Sequence, residues 1–161
     1  MASVSVGGTA SGFTLKDASE KLVSFSDFNG KWVVLYFYPK DNTPGCTIEA
    51  MDFSALKKEF EAEGAVILGI SRDSCKSHQR FIDSKGLTII LLSDPDAVVA
   101  KAYGVLRQKK FMGETFMGVA RTTFLVGPDG VVANVWDDVN VLGHAKDVLS
   151  VLGRLKSSRK T

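Results

Sequence analysis

The sequence predicts an α/β fold with a central mixed β-sheet flanked by helices, and three features carry that reading. Trp32 to Tyr38 (WVVLYFY) and Ala65 to Ile70 (AVILGI) are continuous apolar runs, the pattern of strands covered on both faces. Between them, Phe53, Leu56 and Phe60 recur at spacings of three and four among Glu and Lys, and Gly64 supplies a stop, as in an amphipathic helix. Strand, helix and strand in that order form a βαβ unit with a right-handed crossover.

The remaining elements follow in chain order. Phe13-Thr14-Leu15 and Val23-Ser24-Phe25 predict a small N-terminal β-hairpin. After the first buried strand comes a helix from Pro44 to Gly64, then the second strand. A helix from Asp73 to Lys85, closed by Gly86, leads to a strand from Leu87 to Leu92. Asp94-Pro95-Asp96 turns the chain into a short helix, Ala97 to Tyr103, closed by Gly104, and Arg107 to Gly118 reads as a long loop or β-arm. Thr122 to Val126 and Val131 to Trp136 flank Gly127-Pro128-Asp129-Gly130 and form an antiparallel hairpin. A helix from Leu142 to Leu155 closes the fold. No repeat, linker or low-complexity stretch divides residues 1–161, so one domain is expected, with residues 154–161 as a frayed basic tail carrying Arg154, Lys156, Arg159 and Lys160.

Apolar residues make up 45% of the 161 residues and charged ones 24%, enough for a packed core without metal or disulfide staples. A formal charge of +2 is too small to gather nucleic acid. No apolar run approaches the ~20 residues of a membrane span, and Met1 to Ser11 lacks the pattern of a secretory signal, so a cytoplasmic chain is expected. Two cysteines in a reducing compartment are more often reactive or buried thiols than a disulfide framework.

Pro39-Lys40-Asp41-Asn42-Thr43-Pro44-Gly45-Cys46 connects the first buried strand to the first long helix. Thr43 is a favourable N-cap, Pro44 suits the first helical position, and Cys46 falls on the third. Free backbone N–H groups and the helix dipole then favour the thiolate. Comparable sites hold cysteine at about 3.5–7.5 against about 8.5 for a free thiol. Ionisation of that kind raises the thiolate fraction at neutral pH only ~30-fold, so fast chemistry also needs donors arranged around the reacting atoms. The Thr43 hydroxyl and the amides of Gly45 and Cys46 are placed to supply some.

Pro39, Thr43 and Cys46 match the P-x-x-x-T-x-x-C signature, in which the chain resembles the peroxiredoxins. The longer YFYPKDNTPGCTIEAMDF is similar to the peroxiredoxin Q, or bacterioferritin comigratory protein, subfamily. The likeness continues through SRDS at Ser71 with Ser77, His78 and Phe81, LLSDPD at Leu91, KAYGV at Lys101, GVARTTFLVGPDG at Gly118 and GHAKDVL at Gly143. It implies a thioredoxin-like fold and reduction of hydrogen peroxide or organic hydroperoxides without a cofactor. It also implies thioredoxin, glutaredoxin or a small thiol as reductant, and a monomer or weak homodimer. By position, Cys46 is the thiol that attacks peroxide and becomes a sulfenic acid, Thr43 a donor to the peroxide and Pro39 a shield of the pocket. Arg121 reaches sulfur and peroxide, and Glu49 orients Arg121. His78 and His144 lack metal-site spacing and read as structural. Phe111, Met112, Phe116 and Met117 face an organic substrate, a partner subunit or their own domain.

The chain departs from the subfamily where a second cysteine would resolve the sulfenic acid: Met51 and Ile82 stand at those positions. The remaining thiol, Cys75, opens the helix after the second strand, about 10 Å away by strand spacing, beyond the ~4.4–6.8 Å between Cα atoms that a disulfide requires. Three routes stay open: resolution by Cys75 after a helical turn unwinds, a one-cysteine cycle closed by an external thiol, and an intersubunit bond. A thioredoxin-like disulfide oxidoreductase would need a cysteine at position 43, where Thr43 stands. A non-enzymatic redox sensor or holdase on the same fold is the alternative.

Overall fold

A computed structural model of the chain describes residues 4–159. Its centre is a seven-stranded sheet of order β2 (Leu22–Ser24), β1 (Thr14–Asp17), β5 (Ile90–Ser93), β4 (Ala65–Ser71), β3 (Trp32–Phe37), β8 (Thr122–Val126) and β9 (Val132–Trp136). The middle strands β3, β4 and β5 are parallel. β8 and β9 extend one side antiparallel, and the hairpin of β1 and β2 extends the other. This is the mixed, helix-flanked sheet that the sequence predicts, with the N-terminal hairpin joined to it through β5.

β3 is central because every one of its residues is buried, and successive side chains enter opposite cores. Val33, Leu35 and Phe37 pack with Tyr103 and Phe124 on one face. Trp32, Val34, Tyr36 and Tyr38 pack with Phe53, Phe60, Phe81 and Leu152 on the other. That second face carries the helices α1 (Pro44–Ala55), α2 (Lys57–Ala62), α3 (Cys75–Lys85) and α5 (His144–Arg159). Gly69 of β4 is required there, since a Cβ would sit 2.7 Å from the Tyr36 ring and 2.9 Å from Leu91.

Several boundaries differ from expectation for identifiable reasons. The helix expected over 44–64 is two helices, bent at Leu56 (φ −98°, ψ 6°), while the Phe60 amide still bonds the Leu56 carbonyl at 3.0 Å. α3 begins at Cys75, not Asp73, because the Asp73 carboxylate accepts from the Ser71 hydroxyl and the Asp41 amide, and Ser74 caps the helix instead. β5 begins at Ile90 because the Leu87 amide bonds the Ile82 carbonyl and the Thr88 amide bonds Ser54 Oγ, off the ladder. After α4 (Val98–Ala102), the 107–118 stretch is an arm, β6 (Leu106–Phe111) and β7 (Glu114–Val119), turned at Met112 and Gly113 with positive φ.

The C-terminal segment corrects the expectation of a frayed tail from Arg154. α5 continues through Arg159, and Lys156 Nζ donates to the Glu63 carbonyl at 2.7 Å with the Glu63 carboxylate 3.7 Å away. Lys160 and Thr161, also placed in that tail, lie outside the described residues. Among the described residues, no helix is long and apolar enough to cross a membrane.

Candidate active site

β3 delivers the chain to a loop at the carboxyl end of the parallel strands, and α1 starts there with Thr43 as its N-cap residue. The Thr43 side chain does not cap the helix. Its hydroxyl donates to the Lys40 carbonyl at 2.8 Å and closes the preceding turn. The first helical bond runs from the Thr47 amide to the Thr43 carbonyl at 2.9 Å. Pro44 has no N–H, so the amides of Gly45 and Cys46 lead into the site without partners in the helix. Cys46 is 1% exposed.

Arg121, just before β8, reaches this turn from the strand beside β3. Its Nη2 donates to Cys46 Sγ at 3.2 Å and its Nη1 donates to Glu49 Oε1 at 2.7 Å. Gly45 leaves room for this approach, because a Cβ there would lie 3.2 Å from Nη2. Burial works against the Arg121 charge, but Cys46 and Glu49 outweigh it and raise its pKa above the ordinary value. Cys46, Arg121 and Glu49 are thus one connected group, and the guanidinium brings positive charge to the sulfur. Pro39, half-buried, lines a cleft beside this group, and Thr43 lies one turn before the cysteine.

Glu49 is fully buried on α1, and its second oxygen, Oε2, has no hydrogen-bond partner among the described residues. Burial raises its carboxyl from 4.5 to about 7, with Arg121 opposing the rise. An ionised Glu49 therefore costs more in the folded than in the unfolded chain. The associated stability is complete below about pH 4.5 and is lost as pH rises through 7. Glu49→Gln removes this dependence. Urea unfolding is expected to show the variant gaining on the unsubstituted protein between about pH 5 and about pH 8, by at most about 3 kcal/mol given a carboxyl at about 7. An equal difference at both pH values would eliminate Glu49 as the source.

Three nearby residues have no site role in the sequence reading, which takes His144 as structural. His144 Nε2 lies 2.8 Å from Thr123 Oγ1 and 4.0 Å from Glu49 Oε2, and its ring is T-shaped to those of Phe53 and Trp136. Burial first, then Arg121, lowers its pKa to about 4, so at neutral pH it backs the carboxylate as an uncharged ring. Tyr36 stacks on Phe53 at 4.9 Å and buries its hydroxyl without a hydrogen-bond partner among the described residues. Its pKa is raised by burial and then by the charges of Glu49 and Cys46. Lys109 of the β6–β7 arm donates to the Val119 carbonyl at 2.8 Å. Burial and then Arg121 lower its pKa, while Cys46 raises it. None of the three carries a local signal, because their positions depend on pairings between distant segments.

The structure does not join Cys75 to Cys46. Both thiols are free, and Cys75 is half-buried at the first residue of α3, in a cleft shared with Thr14, Leu15, Lys16 and Leu22 of the N-terminal hairpin. Met51 is 46% exposed, and Ile82 packs against the helical core. Asp41, Asp73 and His78 tie the loop before Cys46 to α3. Asp41 accepts from Tyr38 at 2.6 Å and Ser77 at 2.8 Å and lies 2.7 Å from His78 Nδ1, while His78 Nε2 bonds the Leu92 carbonyl at 2.9 Å. These three side chains come within 4.8 Å of one another, but protein donors already occupy both Asp41 oxygens and Asp73 Oδ2, which gives the cluster a structural task.

An α/β sheet with a buried thiol at a helix start, faced by a guanidinium, defines a thiol-dependent enzyme. Residues 6–135 match the AhpC/TSA family. The chain is 46% identical over 153 residues to the putative peroxiredoxin bcp of Coxiella burnetii, covering 95% of this chain and 99% of that one. It is 49% identical over 123 residues to peroxiredoxin Bcp of Xanthomonas campestris, covering 76% and 77%. Among solved structures, a variant of Xylella fastidiosa PrxQ superposes with a TM-score of 0.91 at 39% identity, covering 95% and 98% of the two chains. The chain belongs to the AhpC/TSA family and, within it, to the peroxiredoxin Q, or bacterioferritin comigratory protein, group. Peroxiredoxins are thiol peroxidases, and this chain reduces peroxides at the expense of a thiol.

Proposed function

We propose that Cys46 is the sulfur that peroxide oxidises and that an external thiol, not Cys75, returns it to the reduced state. The observation that carries the first half is the 3.2 Å hydrogen bond from Arg121 Nη2 to Cys46 Sγ at the open start of α1. The sulfur attacks one peroxide oxygen, the S–O bond forms as the O–O bond breaks, and the departing oxygen leaves as water or alcohol after taking a proton. Charge on that oxygen is met by the Arg121 guanidinium and the Gly45 and Cys46 amides. The Thr43 proton is committed to the Lys40 carbonyl, so its oxygen is free to accept from the peroxide O–H, the reverse of the donor role expected of it. Pro39 narrows the entrance, and Glu49 holds the guanidinium by its second nitrogen. X. campestris bacterioferritin comigratory protein has been studied for alkyl peroxide reduction. We extend organic hydroperoxides, beside hydrogen peroxide, to this chain.

The second half rests on the placement of Cys75 against the N-terminal hairpin and on Met51 and Ile82 at the familiar resolving positions. A small thiol, thioredoxin or glutaredoxin would then reduce the sulfenic acid directly. The setting is a reducing cytoplasm, where both thiols stand free, and the acting unit is a monomer or weak homodimer. Non-reducing mass spectrometry after one equivalent of hydrogen peroxide is expected to find Cys46 as a trappable sulfenic acid. A linkage between Cys46 and Cys75 would overturn the one-cysteine cycle.

A further inference from the structure

We infer that the cleft beside Cys46 binds the carboxylate of a small anionic thiol, the reductant of the cycle. This rests on the one-cysteine reading above and names the kind of thiol it needs. The cleft, about 490 Å³, has Lys40, Arg72 and Lys109 on its wall and, among the described residues, no acidic side chain. Among the described residues, none of the three cations forms an ion pair. Arg72 donates to the carbonyls of Pro95, at 3.4 and 3.5 Å, and Met117, at 3.4 Å, and Lys109 to that of Val119. These carbonyls orient the two cations without an ion pair to neutralise them.

The cleft borders the loop that leads to the reacting sulfur. Pro39 belongs both to its wall and to the loop that carries Cys46, and Lys109 is close enough to Cys46 and Arg121 for each to influence its protonation. Its volume falls in the range of small-ligand sites, about 300–1,000 Å³. Phe116 and Met117, about half exposed, offer an apolar side for a carbon skeleton. Hydrogen peroxide, small and neutral, has no group for three cations, and its oxygens are served by Arg121 and the helix amides. A thiol that must find a sulfur only 1% exposed gains most from an anchor at the entrance. The net charge of the chain is only +2, so the attraction is local and not a property of the whole surface.

The chemistry balances with two equivalents of the thiol. The first attacks Cys46 sulfenic acid: a sulfur–sulfur bond forms, the S–O bond breaks, and the oxygen leaves as water with the thiol proton. The second attacks the sulfur of the bound thiol, releasing a small-molecule disulfide, the Cys46 thiolate and a proton.

The test separates this site from the cycle it rests on. Cys75→Ser protein is oxidised with one equivalent of hydrogen peroxide and mixed with mercaptopropionate, N-acetylcysteine, mercaptoethanol or cysteamine. Loss of the sulfenic acid is followed and compared per thiolate. At low salt the two carboxylate thiols are expected to react about tenfold faster than mercaptoethanol, with cysteamine slowest, and high salt should largely erase the advantage. The double variant Lys40→Gln/Arg72→Gln should bring the ratio of carboxylate to neutral thiol close to one. Because a ratio is compared within each protein, partial misfolding does not imitate the result, and the salt series needs no variant. A ratio near one in the Cys75→Ser protein, or a ratio the double variant does not move, overturns the proposal. So does a salt-sensitive carboxylate preference seen only when a carboxylate-bearing hydroperoxide oxidises Cys46. A Cys46–Cys75 disulfide in the unsubstituted chain counts against the one-cysteine cycle alone, since the thiol ratios are read without Cys75.

Discussion

Arg121→Ala is expected to slow oxidation of Cys46 by hydrogen peroxide by about 10²–10³-fold, the usual scale for losing a preorganised donor to a reacting oxygen. Two contacts disappear together: Nη2 no longer reaches Cys46 Sγ, and Nη1 no longer holds Glu49. Folding should suffer less than chemistry. Burial already lifts the Glu49 carboxyl to about 7 with Arg121 present; without the arginine it rises further, so the residue stays neutral near pH 7 and no buried charge is stranded. Arg121→Lys should recover only a small part of the rate, because one ammonium does not span both Sγ and Oε1 in the fixed fork of a guanidinium. Stopped-flow oxidation under excess peroxide measures both variants, and urea unfolding measures the fold. An Arg121→Ala rate within about threefold of the unsubstituted protein would remove Arg121 from the reaction.

What the sequence makes legible is what local chemistry decides. Trp32 to Tyr38 reads as a covered strand because each residue is apolar, and β3 enters both cores. Gly86 ends α3 in a left-handed conformation, φ 63°, where a side chain would be strained. The start of α1 is equally readable, since Pro44 and the position of Cys46 follow from helix-terminus rules. The arm is less so: most residues of β6 and β7 are exposed on both faces, leaving no apolar alternation to mark strands. Thr43 shows the limit of residue preference, since a good capping type spends its hydroxyl on Lys40.

Arg121 and Glu49 stand 72 residues apart, and only the family resemblance joins them in the sequence. Nothing joins His144 to them. Its place behind Glu49 exists only because α5 packs against α1 and β8 lies beside β3. The same holds for Lys40, Arg72 and Lys109, which come from three segments and meet in one cleft.

The largest expected effect belongs to Cys46→Ser, which should reduce thiol-dependent peroxide consumption to the background of the thiol alone. The position keeps its geometry in the variant. A serine hydroxyl is smaller than the thiol and accepts from Arg121 Nη2 as the sulfur does, so the helix start and the Arg121–Glu49 pair should persist with little loss of stability. What is lost is the nucleophile: an alcohol carries almost no oxyanion near neutral pH, and oxygen has no counterpart to the sulfenic acid on which the cycle turns. Cys75 remains intact in this variant, which makes the comparison informative. Cys75→Ser alone should retain turnover with an external thiol. Cys46→Ser and the double variant Cys46→Ser/Cys75→Ser should both lack it. Peroxide consumption is measured with mercaptoethanol and with thioredoxin, beside circular dichroism to confirm the fold. Sustained turnover by Cys46→Ser that vanishes in the double variant would move the peroxidatic role to Cys75 and empty the Arg121 site of its function.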